Sequence, residues 1–228
     1  MTNVNWERWA RVSGIGFVVL FIVAFLTYGT PPKVNGTTGD IVGFFDGHRG
    51  RVLASMILFG IAFLLLLWFV GAVANTLREA GEGRVAATTI GLGATFVGIQ
   101  AISGSIAAGL AYNIAISGGN GIVRAMNTLI STTQVISSYP LAGLILVVSA
   151  ALWRTKTVPE WYSWLGTASA VLVLLHGTNW ATSGFWSPTG GYLWVTLIAW
   201  LAWTTVTSWL LYVRVTVTAP QRTPVPTH

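Results

Sequence analysis

The chain has 228 residues, of which 54% are hydrophobic and only 8% charged, with a mean hydropathy of +0.69. Soluble domains carry about 25% charged residues, so this composition excludes one and points to a membrane helix bundle. Cysteine is absent, which excludes disulfides, thiolate chemistry and cysteine-ligated metals; the net charge of +6 is spread over helix ends rather than one stripe, so topology explains it better than nucleic-acid binding.

Met1 to Arg11 (MTNVNWERWAR) precedes an uncharged run from Val12 to Gly29. A basic start followed by an apolar run also describes a signal peptide, but no A-x-A-like cleavage site follows, and Pro31-Pro32 simply ends a helix. A retained first span is expected.

Thr37 to Leu53 (TTGDIVGFFDGHRGRVL) then lies between two long apolar runs. Thr37 and Asp40 match a helix-start box. At about 100° per residue, Ile41, Phe44, Phe45, His48 and Val52 share one face, with Gly43, Asp46, Gly47 and Gly50 opposite. The pattern predicts a short amphipathic interfacial helix in the first outer loop, with His48 on its apolar side and Arg49 and Arg51 placed to reach lipid phosphates.

Five further spans are expected at about Val52 to Leu77, Val85 to Tyr112, Ala125 to Trp153, Trp161 to Gly184 and Tyr192 to Val213. None contains Asp, Glu, Lys or Arg, each of which costs at least about 2.5 kcal/mol at a helix centre in lipid. The fold class is therefore all-α: a polytopic bundle of six transmembrane helices in one domain, residues 1–214, with a proline-rich disordered tail, 215–228.

Arg8, Arg11, Arg78, Arg84, Arg154, Lys156, Arg214 and Arg222 fall in one set of connections, and Lys33, Arg49, Arg51 and Arg124 in the other. Positive charge gathers on the cytoplasmic side, which places both termini there. Trp6, Trp9, Trp153, Trp161, Trp186, Trp194 and Trp209 sit near predicted boundaries, as interfacial indoles do. Only the first outer connection is long enough to hold structure of its own.

Small residues at four-residue spacing on the third span, Ala87 to Gly91 and Gly104 to Ala108, predict a helix central to the bundle, an intermolecular face being the alternative. Pro140 is expected to kink the fourth span. Halves related by an inverted repeat would suggest transport, but no residue similarity between them is visible.

Chemistry has few places to sit. Gln100 and Ser103 on the third span, Gln134, Ser137 and Ser138 on the fourth, and His176, Thr178 and Asn179 on the fifth fall in the central to outer half of the membrane, the side of the first-loop helix. His176, ionisable and within a span, is a functional candidate by default, and an interhelical hydrogen bond to Gln100 or Gln134 is its structural alternative. For His48 the corresponding alternative is a hydrogen bond to a nearby carbonyl. A metal site wants three or more His or carboxylate ligands, and outside the cytoplasmic loops the chain offers His48, His176, Asp40 and Asp46, with nothing to fix the separation of the two histidines for a metal or a bis-His haem; HExxH, ExxH, GxSxG and phosphate-loop patterns are missing, so no catalytic residue, metal or cofactor is assigned.

The stretch GDIVGFFDGHRGRVLASMILFGIAFLLLLWFVGAVANTLREAGEGR, with its "IVxFFxxHRGRVL" pattern at Ile41 to Leu53 and with Trp68 further along, resembles a family of uncharacterised bacterial six-helix membrane proteins. The resemblance covers mainly the first three spans and implies a multi-pass protein of the bacterial plasma membrane. It carries no catalytic residues.

The sequence thus supports a non-catalytic membrane protein that binds a lipid, another hydrophobic ligand or a membrane partner through an outward-facing polar pocket. The candidate ligand-binding residues are His48, Arg49, Arg51, Gln100, Gln134, His176 and Asn179. Expected partners are membrane lipids and an integral membrane protein or a second copy of the chain, with no nucleic acid. A small-molecule transporter or channel using Gln100, Gln134, His176 and Asn179 is one alternative. A membrane enzyme with His48 and Asp46 as an acid-base pair is the other.

Overall fold

A computed structural model describes residues 3–218, with side chains described for 9–213. All regular structure among these residues is helical: α1 (Asn3–Tyr28), α2 (Thr38–Phe45), α3 (Arg49–Glu79), α4 (Gly83–Ser117), α5 (Asn120–Arg154), α6 (Glu160–His176) and α7 (Gly191–Thr218). Within α4, Leu110–Ile114 is a π-helical turn. Five of the helices, α1, α3, α4, α5 and α7, are long and apolar enough to cross a membrane. α6 has 17 residues, about 25 Å at 1.5 Å per residue, against a hydrocarbon core of about 30 Å.

The long helices pack as a closed ring: α1 on α3, α3 on α4, α4 on α5, α5 on α6, α6 on α7, and α7 back on α1. Short connections force the antiparallel neighbours together. Gly81, at φ +85°, turns the chain between α3 and α4 in a conformation that costs glycine nothing. The connections at that end are joined by the Arg154–Glu82 ion pair at 2.6 Å, which being exposed adds at most about 1 kcal/mol. The ring closes through Arg11, whose buried guanidinium donates to the Leu211 carbonyl at 3.1 Å while its own carbonyl accepts from Ser208.

Close backbone approaches are set by glycine at particular points. A Cβ on Gly14 would lie 2.7 Å from the Phe69 ring, and one on Gly93 2.8 Å from Val70, so these positions seat α1 and α4 on α3. On α6, a Cβ at Gly166 would overlap Ser149 of α5, whose hydroxyl accepts the Trp203 indole N–H of α7 at 2.9 Å.

The exterior of the ring is apolar. Val19, Ile22 and Leu26 of α1, Ile57, Ile61 and Leu64 of α3, and Ile198 of α7 are all exposed large hydrophobics. So large an apolar surface on a folded chain is what contact with lipid requires.

Several sequence expectations change in detail. α4 is not central: only 22% of its most apolar stretch is buried, against 61% for α5, and Ala87, Gly91, Gly98 and Ala101 face outward. Its small residues divide between these outward ones and Ala86, Gly93 and Ala107, which are buried against neighbours. The fifth apolar run, read as helical to Gly184, stops at His176. The connection that follows is ordered: Trp186 donates to the Thr178 carbonyl at 3.1 Å, Tyr139 to Gly177 at 3.0 Å, and the Trp186 and Tyr192 rings lie 4.5 Å apart. Non-helical backbone among apolar surroundings needs such internal partners. Pro140 lies inside the continuous α5, and α7 extends to Thr218; the rest of the expected tail lies outside the described residues.

Candidate functional site

The ring encloses a cavity of about 510 Å³, and each of its six helices contributes to the wall. Volumes of 300–1,000 Å³ suit a small-molecule ligand. Phe21, Phe25 and Tyr28 come from α1, Met56, Phe59 and Phe63 from α3, Phe96 from α4 and Trp200 from α7. Four-residue spacing explains the local arrangement: Phe17, Phe21 and Phe25 fall on one face of α1, as do Phe59 and Phe63 on α3. Across the ring these faces lock edge to face, with Phe21–Trp200 at 5.1 Å, Phe96–Trp200 at 5.2 Å and Phe21–Phe59 at 5.2 Å. Each such contact adds about 0.5–1.5 kcal/mol beyond simple burial.

The polar part of the wall is uncharged. Gln100 and Ser103 enter from α4, Gln134, Ser137 and Ser138 from α5, His176 from the end of α6 and Thr196 from α7. The hydroxyls of Ser103, Ser137 and Thr196 are spent on carbonyls: Ser137 donates to Gln134 at 2.7 Å, Thr196 to Tyr192 at 3.2 Å and Ser103 to Ile130 at 3.5 Å. The half-buried amides of Gln100 and Gln134 are the groups with the greatest bonding capacity. His176 is buried and its Nδ1 lies 3.0 Å from the side-chain amide nitrogen of Asn179. Its partner is thus in the next turn of chain, rather than Gln100 or Gln134.

Two buried side-chain atoms among the described residues lack a hydrogen-bond partner, Asn179 Oδ1 and Trp200 Nε1. The second belongs to a cavity wall residue. A buried unpaired group costs about 1–3 kcal/mol, so each orphan calls for an explanation.

The wall residues that are themselves exposed are Gly60, Leu64 and Leu67 of α3 and Ala101 and Ser105 of α4, and they place the opening between these two helices. The small side chains of Gly60, Ala101 and Ser105 keep it clear. Arg49, at the start of α3, stacks over the Tyr112 ring of the α4 π turn at 5.4 Å, and the tight Gly81 turn joins the two helices at the other end. The opening is therefore a side window, bounded above and below.

α2 closes the ring end near Tyr28. Its start is fixed by Thr37, which accepts from the Asp40 amide at 3.2 Å while Asp40 Oδ2 takes the Thr37 N–H at 3.0 Å and its hydroxyl at 2.8 Å. Those two bonds hold the exposed Asp40 carboxyl below the usual aspartate range. Ile41 and Phe45 are buried with Tyr28, Val52, Leu110 and Ile130, so the helix lies against α3, α4 and α5.

Of the seven candidates from sequence, Gln100, Gln134 and His176 line the cavity. Asn179 is fully buried behind His176 but is not a wall residue. His48, Arg49 and Arg51 do not line it either. His48 is exposed: its N–H still bonds the Phe44 carbonyl one helical turn back and its Nδ1 lies 3.2 Å from the same oxygen, but it stands beyond Phe45, the last buried residue of α2. Arg51 lies against Gly29 and over the Phe44 ring at 5.9 Å. The aromatic wall escaped the sequence reading, although the four-residue spacing of Phe17, Phe21 and Phe25 is a usable signal.

The arrangement defines a class: a helical, membrane-type ring with an uncharged, aromatic-walled chamber reached from its side. Compared with protein-family models, curated proteins and solved structures, the chain matches none of them.

Proposed function

We propose that the chain is a six-span membrane protein that binds one lipid-like molecule in the chamber, without catalysis. The observation that carries this is the side window. An opening flanked by the exposed Leu64 and Leu67 faces the lipid phase, so what enters through it is apolar for most of its length. The polar pocket expected from sequence becomes, in this proposal, an apolar chamber with a few hydrogen-bonding groups.

Purified without delipidation and measured by native mass spectrometry, the protein is expected to carry one small molecule per chain. Gly60→Trp should abolish it, because Gly60 lines the window and its Cβ direction is open space. A wild-type protein with no bound mass, or one whose bound mass survives Gly60→Trp, refutes the proposal.

The topology belongs to the same proposal: α6 crosses as the sixth span, both termini lie in the cytoplasm, and α2 rests at the outer interface. Clustering of Arg78, Arg84, Arg154 and Lys156 supports that orientation, and the resemblance at Ile41 to Leu53 supports the bacterial plasma membrane. Single cysteines in this cysteine-free chain test it. With an impermeant maleimide on intact cells, Asn35→Cys and Thr182→Cys should be labelled, and Ala80→Cys protected. Protection of Thr182→Cys would mean that α6 does not cross.

A further inference from the structure

The lipid site leaves the polar head of its occupant undefined, and the groups on the chamber wall narrow it. No Asp, Glu, Lys or Arg lines the chamber, and a charge moved from water into such surroundings is strongly penalised unless it meets an opposite one. The occupant is therefore uncharged. Three polar wall groups have bonding capacity to spare. The amides of Gln100 and Gln134 bond no other described residue, and both side chains are only half-buried, so an occupant can reach them. They also stand level. Ser103 of α4 donates to the Ile130 carbonyl of the antiparallel α5 at 3.5 Å, which brings Gln100, one turn before Ser103, beside Gln134, one turn after Ile130. The third group is Nε2 of His176. The ring is only 3% exposed and its Nδ1 is beside Asn179, while Nε2 bonds no described residue and is not one of the fully enclosed unpaired atoms. The little surface that this wall residue keeps therefore includes Nε2. Because Tyr139 bonds the Gly177 carbonyl, His176 stands about 8 Å along α5 from Gln134.

An amide both donates and accepts. A head that only accepts, such as an ether or ester, leaves the amide oxygens unmet, whereas a hydroxyl serves both halves of the pair. We infer that the chamber takes an uncharged lipid whose head bears hydroxyls, one held between the Gln100 and Gln134 amides and a second, in a larger head, at His176 Nε2. This rests on the chamber being a lipid site, and adds what its occupant carries. Ala101 of the window directly follows Gln100, so the head seats just inside the opening, and the hydrocarbon body has the rings of Phe21, Phe59 and Phe96 to lie against.

The test is competition in phosphatidylcholine vesicles. A tetradecane bearing a diazirine and no polar group labels the protein on illumination, and chamber labelling is the part lost in Gly60→Trp. Tetradecanol, methyl tetradecyl ether, tetradecane and tetradecanoate compete at matched membrane concentrations. The alcohol should displace the label about fivefold more strongly than the ether, the effect of one net hydrogen bond, and tetradecanoate should be no better than tetradecane. Replacing both amides, Gln100→Leu with Gln134→Leu, should bring the alcohol down to the ether while leaving the labelling intact. If that variant does not fold, the wild-type comparison of alcohol with ether decides alone. The glycerol ether of tetradecanol should exceed tetradecanol itself, and His176→Phe should remove that gain. Equal competition by alcohol and ether, as amides satisfied by water or by each other would give, overturns the hydroxyl head and leaves the lipid site standing. An advantage of the alcohol that survives the double replacement overturns the role of the amides, and a gain that survives His176→Phe overturns that of the histidine. Stronger competition by tetradecanoate overturns the uncharged occupant. An absence of chamber labelling overturns the lipid site and this inference together.

Discussion

At the scale of single residues, the chain distinguishes between polar groups that hold the fold and polar groups left for something else. Ser149 accepting from Trp203, Tyr162 sharing a 2.7 Å hydrogen bond with Thr207, and Arg11 on the Leu211 carbonyl are closed pairs that join neighbouring helices. The Gln100 and Gln134 amides are open. Among the described residues outside the long apolar helices, Asp40 is one whose protonation bears on the fold. Its folded carboxyl is held below the ordinary aspartate range by two bonds from Thr37, so the ionised form supports the start of α2. A depressed pKa contributes stability above the unfolded value, about 3.9, and that contribution disappears as pH falls through the folded value. Amide exchange at Ile41 and Phe45 should thus be protected at neutral pH, with protection declining below about pH 4 relative to the bundle. Asp40→Asn should show the weaker protection at every pH. Unchanged exchange in that variant would mean that the cap does not hold α2.

At the scale of elements, each helix has a separate task in building the chamber. α1, α3 and α7 supply rings, α4 and α5 supply amides, and α6 brings His176 to the wall. α6 is the shortest of the ring helices and depends most visibly on one close approach. Because a Cβ at Gly166 would overlap Ser149, Gly166→Ala should push α6 from α5 and disturb the Ser149–Trp203 bond. The expected cost is about 1–3 kcal/mol, read as a lowered unfolding midpoint in detergent. Gly91→Ala is the control, since nothing lies within 4 Å of its Cβ direction. Equal midpoints for the two variants would contradict this packing.

Much of this level was legible beforehand. Charge-free windows found the long helices, and Thr37 with Asp40 found the start of α2 to the residue. The end of α6 was not legible because Trp180, Phe185 and Trp186 continue the apolar composition past His176 while the backbone turns. What allows the turn is side chains reaching back to carbonyls from Tyr139 and Trp186, and hydropathy carries no record of these. His48 was misplaced because a helical angle says which side a residue lies on and not whether anything packs there, and the packing on α2 ends at Phe45.

At the scale of the whole molecule, a ring of helices leaves space that a close-packed bundle would fill, and the sequence hinted at the space only through its polar rim. Gln100, Gln134 and His176 were recognisable because polar residues are rare in apolar helices. Phe21, Phe59 and Trp200 were not, because nothing separates a phenylalanine facing a chamber from one facing lipid until the ring closes. The exposed wall residues between α3 and α4 then mark a side entry to the chamber, with α2 packed at one end of the ring. The most direct measurement is an experimental density map of the protein in nanodiscs of native lipid. The central claim predicts a continuous elongated density between Phe21, Phe59 and Phe96. A chamber filled by collapsed side chains, or holding only isolated water peaks, would contradict it.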